Sequence, residues 1–417
     1  MVHGIGRVAG AARAGELEML LEGFAYFPLL AAAVVIYWRL PNERNIRLAF
    51  LCMTSGVGVV YLLWSTLENR QVMAVLGSFG SISIGSYAIA ARLARQRSKP
   101  WLVLGVSMPF TAFLSLQCGF LASCTGARSS WIVPVSVGFF VMRQVHFVYE
   151  SYRGGIKRRG LLEFIAYVVY FPTIIAGPIE RFPRFVEQIG VDFDRECLSR
   201  GAERILVGTF KKFVVADLLI TSMLPPDELT RSGFHGVPWS VTIFACSMKF
   251  LYVYFDFSGY TDMAIGTSRL FGIRVMENFN FPLLRSNLAE FWRAWHMSLA
   301  SMARDYVYFP LLVKYRHTVV ALVATMLVIA SWHEVSPGWL LWGLHHGIGL
   351  AVLAAFQRRA AAWCWLQPVR GTLGWRIGAT MATLFFVTYG YALTWHPSDV
   401  RLSLSTYAKV WSLGLWS

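Results

Sequence analysis

Charge is scarce in this 417-residue chain: 15% of residues are Asp, Glu, Lys or Arg, whereas 56% are hydrophobic and 15% aromatic. A soluble domain has no way to bury so much apolar surface, so lipid is implied as the solvent. Acids are scarcer than bases, 23 against 38, leaving a net charge of +15. In a soluble protein that excess would point to nucleic acid. Here the basic residues fall in short gaps between apolar runs, the pattern that the positive-inside rule and anionic headgroups produce, which argues against a nucleic-acid partner. The chain also lacks a G-x-x-x-x-G-K-[ST] loop, a G-x-S-x-G elbow and an H-E-x-x-H pair, which argues against nucleotide hydrolysis and the common soluble hydrolases. Cysteine is sparse. The six residues (Cys52, Cys118, Cys124, Cys197, Cys246, Cys364) form no C-x-x-C pair and no His/Cys cluster at ligand spacing, so no metal site is expected. They read as free apolar fillers, and a Cys118–Cys124 disulfide would require their loop to face an oxidising compartment. No internal repeat or linker divides the chain, so a single domain over 1–417 is expected.

What the chain does have is a succession of apolar runs of roughly 20 residues, the length that spans a bilayer core as a helix. Five are placed at about 19–38, 48–66, 72–91, 101–122 and 131–150. The gaps at 39–47, 92–100 and 151–160 are strongly basic, and the two between them are short or nearly balanced. Every second loop therefore reads as cytoplasmic, with the N-terminus outside. The first run leads into Tyr37-Trp38-Arg39-Leu40-Pro41 without a small-residue cleavage site, and so reads as a first span rather than a removed signal peptide.

Beyond residue 160 the pattern changes. Leu161 to Ala176 is apolar and ends in Gly177-Pro178-Ile179-Glu180-Arg181, then polar residues run to about 202; an interfacial or re-entrant piece is expected there. Runs resume at about 203–223 and 238–256, followed by a tract from Asp256 to Asp305 dense in aromatic, Arg and acidic residues. That tract is too polar to face lipid and is expected to form amphipathic or re-entrant helices lining an internal site. The last runs fall at about 318–333, 337–357 and 376–395. Basic residues at 314–317 and 358–359 read as cytoplasmic, which makes 318–333 and 337–357 a hairpin whose tip carries His333 and Glu334. The expectation is an all-α polytopic membrane protein with about ten or eleven transmembrane helices, plus re-entrant or interfacial helices, around a central funnel or tunnel.

Ionisable residues inside apolar segments are costly and are functional candidates by default. His296 stands in Phe291-Trp292-Arg293-Ala294-Trp295-His296-Met297-Ser298-Leu299, with Arg304-Asp305-Tyr306 behind it. On a continuous helix it would stack with Trp292, giving an aromatic-walled imidazole; a histidine that merely hydrogen-bonds to hold a bend is the other reading. His333 follows Ser331-Trp332 at the end of an apolar run. A neutral imidazole there suits a base that takes a proton from a hydroxyl, although an interfacial loop histidine would look the same. Thirteen residues on come His345-His346; neighbours on a helix point about 100° apart, so one of the two is expected to face the cavity of His333. Asp256 and Asp262 fit an ion pathway, an enzyme's cavity or a buried packing network equally well.

Together these stretches resemble the membrane-bound O-acyltransferase family, in its bacterial branch. The residues that carry the resemblance are Phe255-Asp256-Phe257-Ser258-Gly259-Tyr260-Thr261-Asp262, Glu277-Asn278-Phe279-Asn280-Phe281-Pro282, Glu290 to Leu299, and Arg304-Asp305-Tyr306. Tyr170-Phe171-Pro172, Ala176 to Phe182 and Gly208-Thr209-Phe210-Lys211-Lys212 resemble the same branch in the same order. The likeness runs from about residue 20 to 396, with a core at about 163–357. The branch includes the membrane subunit of alginate O-acetylation and the D-alanyl transfer protein of teichoic acid modification.

The resemblance implies a catalytic histidine in a Trp-His-Gly motif followed thirteen residues later by His-Gly. Trp332-His333 and His346-Gly347 fill those places, with Glu334 where the family has glycine. By that resemblance His333 is the general base and His296 positions the acyl carbonyl or acceptor. Asp256, Asp262, Arg293, Trp295, Arg304, Asp305, Tyr306, Trp332, Glu334 and His346 shape the cavity. It further implies no permanently bound cofactor, and a thioester donor (acetyl-CoA or an acyl-carrier phosphopantetheine) presented from the cytoplasm, with a carrier protein as partner in the latter case. The acceptor is an exported polysaccharide or envelope glycan, reached directly or through a secreted or periplasmic partner transferase. The location is the inner, cytoplasmic membrane. Acetyl transfer is the first expectation and D-alanyl transfer the second. An ion-coupled exporter would reuse the same buried groups but predicts two similar halves, which the sequence lacks; a scaffold with a dead site is a third reading, raised by Glu334.

Overall fold

A computed structural model describes residues 12–66, 69–117, 132–157, 160–225, 234–364 and 366–412, and among these no strand longer than a single bridge occurs. Cys118 and Cys124 lie outside the described residues; Cys52, Cys197, Cys246 and Cys364 are free thiols. Each apolar run is helical wherever it is described. The first five form α1 (Ala12–Arg39), α2 (Arg44–Thr66), α3 (Asn69–Arg95), α4 (Lys99–Gln117) and α5 (Ile132–Arg153). Among the described residues three helical stretches are long and apolar enough to cross a membrane, Trp239–Leu270, Pro337–Ala360 and Leu373–Thr394, and two shorter ones, Tyr26–Arg39 and Thr318–His333, are strongly apolar.

The chain divides into two compact units, where the sequence reading has one domain: 3–209 with 260–276, and 210–259 with 277–417. In the first unit, the expected interfacial piece is a chain of short helices, α6 (Leu161–Val169), α7 (Phe171–Ile174) and α8 (Phe182–Glu187), followed by α9 (Arg195–Thr209). The break after α6 leaves carbonyls without helical partners. Arg143 of α5, almost fully buried, donates to the carbonyls of Tyr167 and Val168 and to the Thr173 hydroxyl. Its guanidinium thus closes the C-terminal end of α6, where a cation is favoured. The Gly177–Phe182 turn is held from both sides: the Tyr167 hydroxyl donates to the Glu180 carbonyl at 2.8 Å, and the Phe182 amide donates to His146 Nε2 at 2.9 Å. Only glycine fits at 177, because a Cβ there would lie 2.5 Å from the Thr173 Cα.

The second unit starts with a π-helical segment, Phe210–Ile220. There i→i+5 hydrogen bonding replaces the α pattern, which brings Lys212 and Asp217 onto one face at 3.1 Å. α10 (Trp239–Leu270) corrects the sequence reading. The run expected to end at 256 continues through Asp256, Ser258, Gly259 and Asp262 as one helix. The helix carries its two carboxylates unbroken because each has a cation: Asp256 pairs with Lys212, and Asp262, in the part of α10 belonging to the first unit, pairs with Arg204 Nε at 2.6 Å.

The rest of the polar tract folds as short helices, α11 (Leu288–Ala294) and α12 (Met297–Ala303), a π-helical turn (Arg304–Tyr308) and α13 (Phe309–Tyr315). The expected hairpin follows as α14 (Thr318–His333) and α15 (Pro337–Ala360), then α16 (Leu366–Arg370), α17 (Leu373–Gly390) and α18 (Val400–Trp411). The terminal helix is fastened by its last turn: Lys409 donates to the Phe234 carbonyl at 2.7 Å, and Trp239 Nε1 donates to the Val410 carbonyl at 3.2 Å. Phe234, Cys246, Tyr389, Trp395 and Val410 form the buried cluster beneath it.

Candidate active site

His296 does not sit on the continuous helix expected from its spacing. α11 stops at Ala294, and His296 has left-handed backbone, φ 44° and ψ 52°, immediately before α12. Non-glycine residues rarely adopt that conformation, and it persists only where the surroundings impose it. They do so here through the segment Asn278–Asn280, which runs antiparallel to Ala294–Met297 with a bridge between Phe279 and Trp295. The Asn280 amide donates to the Ala294 carbonyl at 3.0 Å and the Met297 amide to the Asn278 carbonyl at 2.9 Å. The Asn278 side-chain oxygen accepts from the Ser298 hydroxyl at 2.6 Å and from its amide at 3.3 Å. Two chain segments that look separate in the sequence thus form one device that turns the backbone at His296.

The walls of the site are aromatic. Trp295 stacks on Phe291 and Phe250, with centroids 5.4 and 5.5 Å apart, and Phe279 stands edge-on to it at 5.2 Å. The His296 imidazole is buried against Phe257 (4.7 Å) and Trp332 (5.7 Å). Trp292, expected beside it, instead turns to His346, donating from Nε1 to His346 Nδ1 at 3.4 Å. The reason is the break at 295–296, which removes the i, i+4 relation between Trp292 and His296.

Trp332 joins the two predicted histidines. Its ring stands edge-on to both, with centroids 5.7 Å from His296 and 4.9 Å from His333. His333 ends α14, lies flat on Trp339 (4.6 Å, 12° between planes) and meets the edge of Trp342 at 6.1 Å. It is exposed, whereas His296 and His346 are buried. Of the three, His333 is the one whose residue surface is accessible in the structure. His346 packs on Trp342 at 4.5 Å. As its Nδ1 accepts from Trp292, the neutral ring carries its proton on Nε2, which finds no hydrogen-bond partner among the described residues.

His345 points elsewhere, as neighbours on a helix must. It stacks on Phe386 at 3.9 Å, and Nε2 lies 3.1 Å from the Phe386 carbonyl while Nδ1 lies 3.1 Å from the Tyr407 hydroxyl. A carbonyl only accepts, so Nε2 donates and Nδ1 accepts a hydrogen bond from the phenol. Burial raises the Tyr407 phenol above its ordinary pKa, which keeps it a donor at neutral pH.

The other candidates are distributed. Glu334 caps α14 in extended backbone, φ −165°, where a glycine is not needed. Arg293 is exposed and bonds back to the Ala289 carbonyl, and Arg304 pairs with its neighbour Asp305 at 2.9 Å; Tyr306 lies in the same π-helical turn. Asp256 belongs to the Lys212–Asp217 cluster, and Asp262 to the first unit with Arg204. Sequence reasoning missed Lys212, Asp217, Asn278 and Ser298 as parts of this framework. The signal that could have found the last two is the pairing of an Asn-x-Asn segment with a His-x-Ser turn. Among the described residues no three His, Cys, Asp or Glu side chains gather as a metal-ligand group.

A helical protein with apolar, membrane-length helices and a histidine set among three tryptophans fits a membrane transferase. Residues 120–391 match the sequence model of MBOAT, the membrane-bound O-acyltransferase family. This chain belongs to that family and is an O-acyltransferase of the membrane. Among its curated relatives, the probable alginate O-acetylase AlgI of Pseudomonas aeruginosa is 31% identical over 414 residues, covering 94% of this chain and 74% of the relative. The teichoic acid D-alanyltransferase of Streptococcus thermophilus is 29% identical over 366 residues, 82% of this chain and 85% of the relative. A peptidoglycan O-acetyltransferase of Helicobacter pylori is 26% identical over 360 residues, 74% and 66% respectively.

Proposed function

We propose that this acyltransferase moves an acetyl group from a cytoplasmic thioester to a hydroxyl of an exported polysaccharide or envelope glycan, with His333 as general base. The observation that carries the proposal is the placing of His333 at the end of α14, an accessible residue whose imidazole lies flat on Trp339 and is braced by Trp332 and Trp342. The acceptor's O–H gives its proton to the imidazole as its oxygen bonds to the thioester carbonyl carbon. The carbon–sulfur bond then breaks, and the imidazolium returns the proton to the departing sulfur. His296, across Trp332, orients the acyl or acceptor group, and His346 steadies Trp342 beneath His333. Asp256 acts through helix packing, by its pair with Lys212. The ten apolar runs, each helical where described, support a multi-pass arrangement in the inner membrane. The donor is acetyl-CoA or an acyl-carrier phosphopantetheine, and the acceptor is met directly or through a secreted partner transferase. D-alanyl transfer from a carrier protein is the second reading, supported by the coverage of the teichoic acid relative.

The test is a mass measurement of the acyl group on the cell's exported polymers, in cells carrying the intact chain, His333→Ala or His296→Ala at matched membrane abundance. Acetyl that disappears with His333→Ala supports the proposal. D-alanyl in its place selects the second reading, and acylation retained in the His333 variant overturns the base assignment in favour of a scaffold or exporter. Activity that emerges only with Glu334→Gly would identify a scaffold whose site is dead.

A further inference from the structure

The second unit holds a cavity of about 1360 Å³ that the reaction above does not use. One wall is a single face of α15 from Leu341 through His345, Ile348 and Val352 to Phe356 and Gln357. At 1.5 Å rise per residue this face is ~24 Å long, most of the ~30 Å hydrocarbon thickness of a bilayer. The facing wall on α17 sets small residues, Gly374, Gly378, Ala379 and Ala382, between the larger Trp375 and Phe386. A Cβ at Gly374 or Gly378 would meet nothing within 4 Å, so the groove is kept open by the sequence itself. Its apolar lining is open to the surroundings: Ile348 and Val352 are 54% and 63% exposed.

The two ends differ in charge. At one, Arg370 lines the groove with its guanidinium 5.6 Å above the Phe356 ring, and among the described residues no carboxylate pairs with it. The stretch 335–398 contains Arg358, Arg359, Arg370 and Arg376 and not one acidic residue. At the other end the lining is His345, Tyr407 and Trp411: His345 Nδ1 meets the Tyr407 hydroxyl and its Nε2 the Phe386 carbonyl, so that of the polar side-chain atoms there the Trp411 N–H, an uncharged donor, is left without a partner among the described residues. A ligand fitting this groove is apolar over most of its length and anionic at one end only. Basic pockets between helices at the cytoplasmic side of a membrane recognise anionic headgroups in this way.

We propose that the groove between α15 and α17 is a binding site for one anionic phospholipid, its phosphate at Arg370 and its acyl chains laid along the α15 face toward His345. The site is separate from the acyl-transfer reaction and does not depend on it.

The experiment uses the purified full chain in vesicles of phosphatidylcholine. They contain a small fraction of either phosphatidylglycerol or phosphatidylcholine with a photoactivatable acyl chain, and labelled peptides are located by mass spectrometry. The expected result is label from the phosphatidylglycerol probe on the α15 and α17 segments that line the groove. That label falls at least about fivefold in Arg370→Glu, the weight of one basic residue at an anionic surface, and also falls in Gly378→Phe, whose ring enters open space. Thermal melting of both variants in detergent establishes that they are folded; should Gly378→Phe fail that control, Gly374→Phe replaces it. Equal labelling by the two probes, or label unchanged by both substitutions, would overturn the proposal and leave ordinary bilayer contact. Cross-links between two copies of the chain through this face would overturn it in favour of a self-association surface.

Discussion

The backbone at His296 is held in left-handed geometry by the Asn278–Asn280 segment, which begins 18 residues earlier in the sequence (296 − 278), and the Asn278 side chain fastens that segment to Ser298. Asn278→Ala leaves the buried Ser298 hydroxyl and amide without their acceptor, at a cost of about 1–3 kcal/mol. We expect lower thermal stability in detergent and reduced acyl transfer. His296→Gly, by contrast, accepts the same φ without strain and should keep the melting temperature while losing whatever the imidazole does. A Gly variant that melts early would show that the ring, rather than the turn, carries the stability. The histidines themselves were legible in the sequence because an ionisable group in an apolar run stands out. The break beside His296 was not, because Trp292 and His296 at i, i+4 look helical until Asn278 and Asn280 compete for the same backbone groups.

At the scale of elements, the α14–α15 hairpin brings His333 and His346 into one group, and it does so by close contact. A Cβ at Gly343 would lie 2.9 Å from the Ala330 Cβ and the Met326 carbonyl, and one at Gly347 would lie 2.8 Å from the Val323 Cα. The small residues at i and i+4 let the two backbones approach, as between helices in lipid generally. Gly343→Val or Gly347→Val must push the helices apart and should reduce folded protein in the membrane, as read by size-exclusion chromatography. Gly374→Ala, in open space, should leave it unchanged. The hairpin was expected from two apolar runs between basic flanks, and its bounds agree closely with α14 and α15. The length of α10 was not, since hydropathy sees Asp256 and Asp262 as interruptions and cannot see Lys212 and Arg204 opposite them. Lys212→Met would leave Asp256 and Asp217 together without their cation. With all three side chains partly exposed, we expect a loss of about 2 kcal/mol, below the ~3–5 of a fully buried pair, seen as a lowered melting temperature.

For the whole molecule, the proposed arrangement in the membrane makes a topological prediction. The basic loops 92–100 and 358–359 face the cytoplasm, and the hairpin tip at 334–336 faces the opposite side. In a cysteine-free background, Val335→Cys should react with a membrane-impermeant maleimide in intact spheroplasts, and Arg97→Cys and Arg358→Cys only after the cells are broken. Labelling of all three in intact cells would overturn the arrangement. The run-by-run helical pattern was readable from composition alone because lipid imposes it. The division into two units was not, as it depends on which parts of α10 pair with which neighbours. The identity of the acceptor lies beyond both, because no residue spacing encodes it.

The central claim is that the imidazole of His333 takes the acceptor's proton. Its most direct test is acetyl transfer from labelled acetyl-CoA to a polysaccharide acceptor by the purified chain in vesicles, comparing the unsubstituted protein with His333→Ala. The account predicts a fall of about 10²–10⁴-fold with an unchanged melting temperature; a rate equal to that of the unsubstituted chain would contradict it.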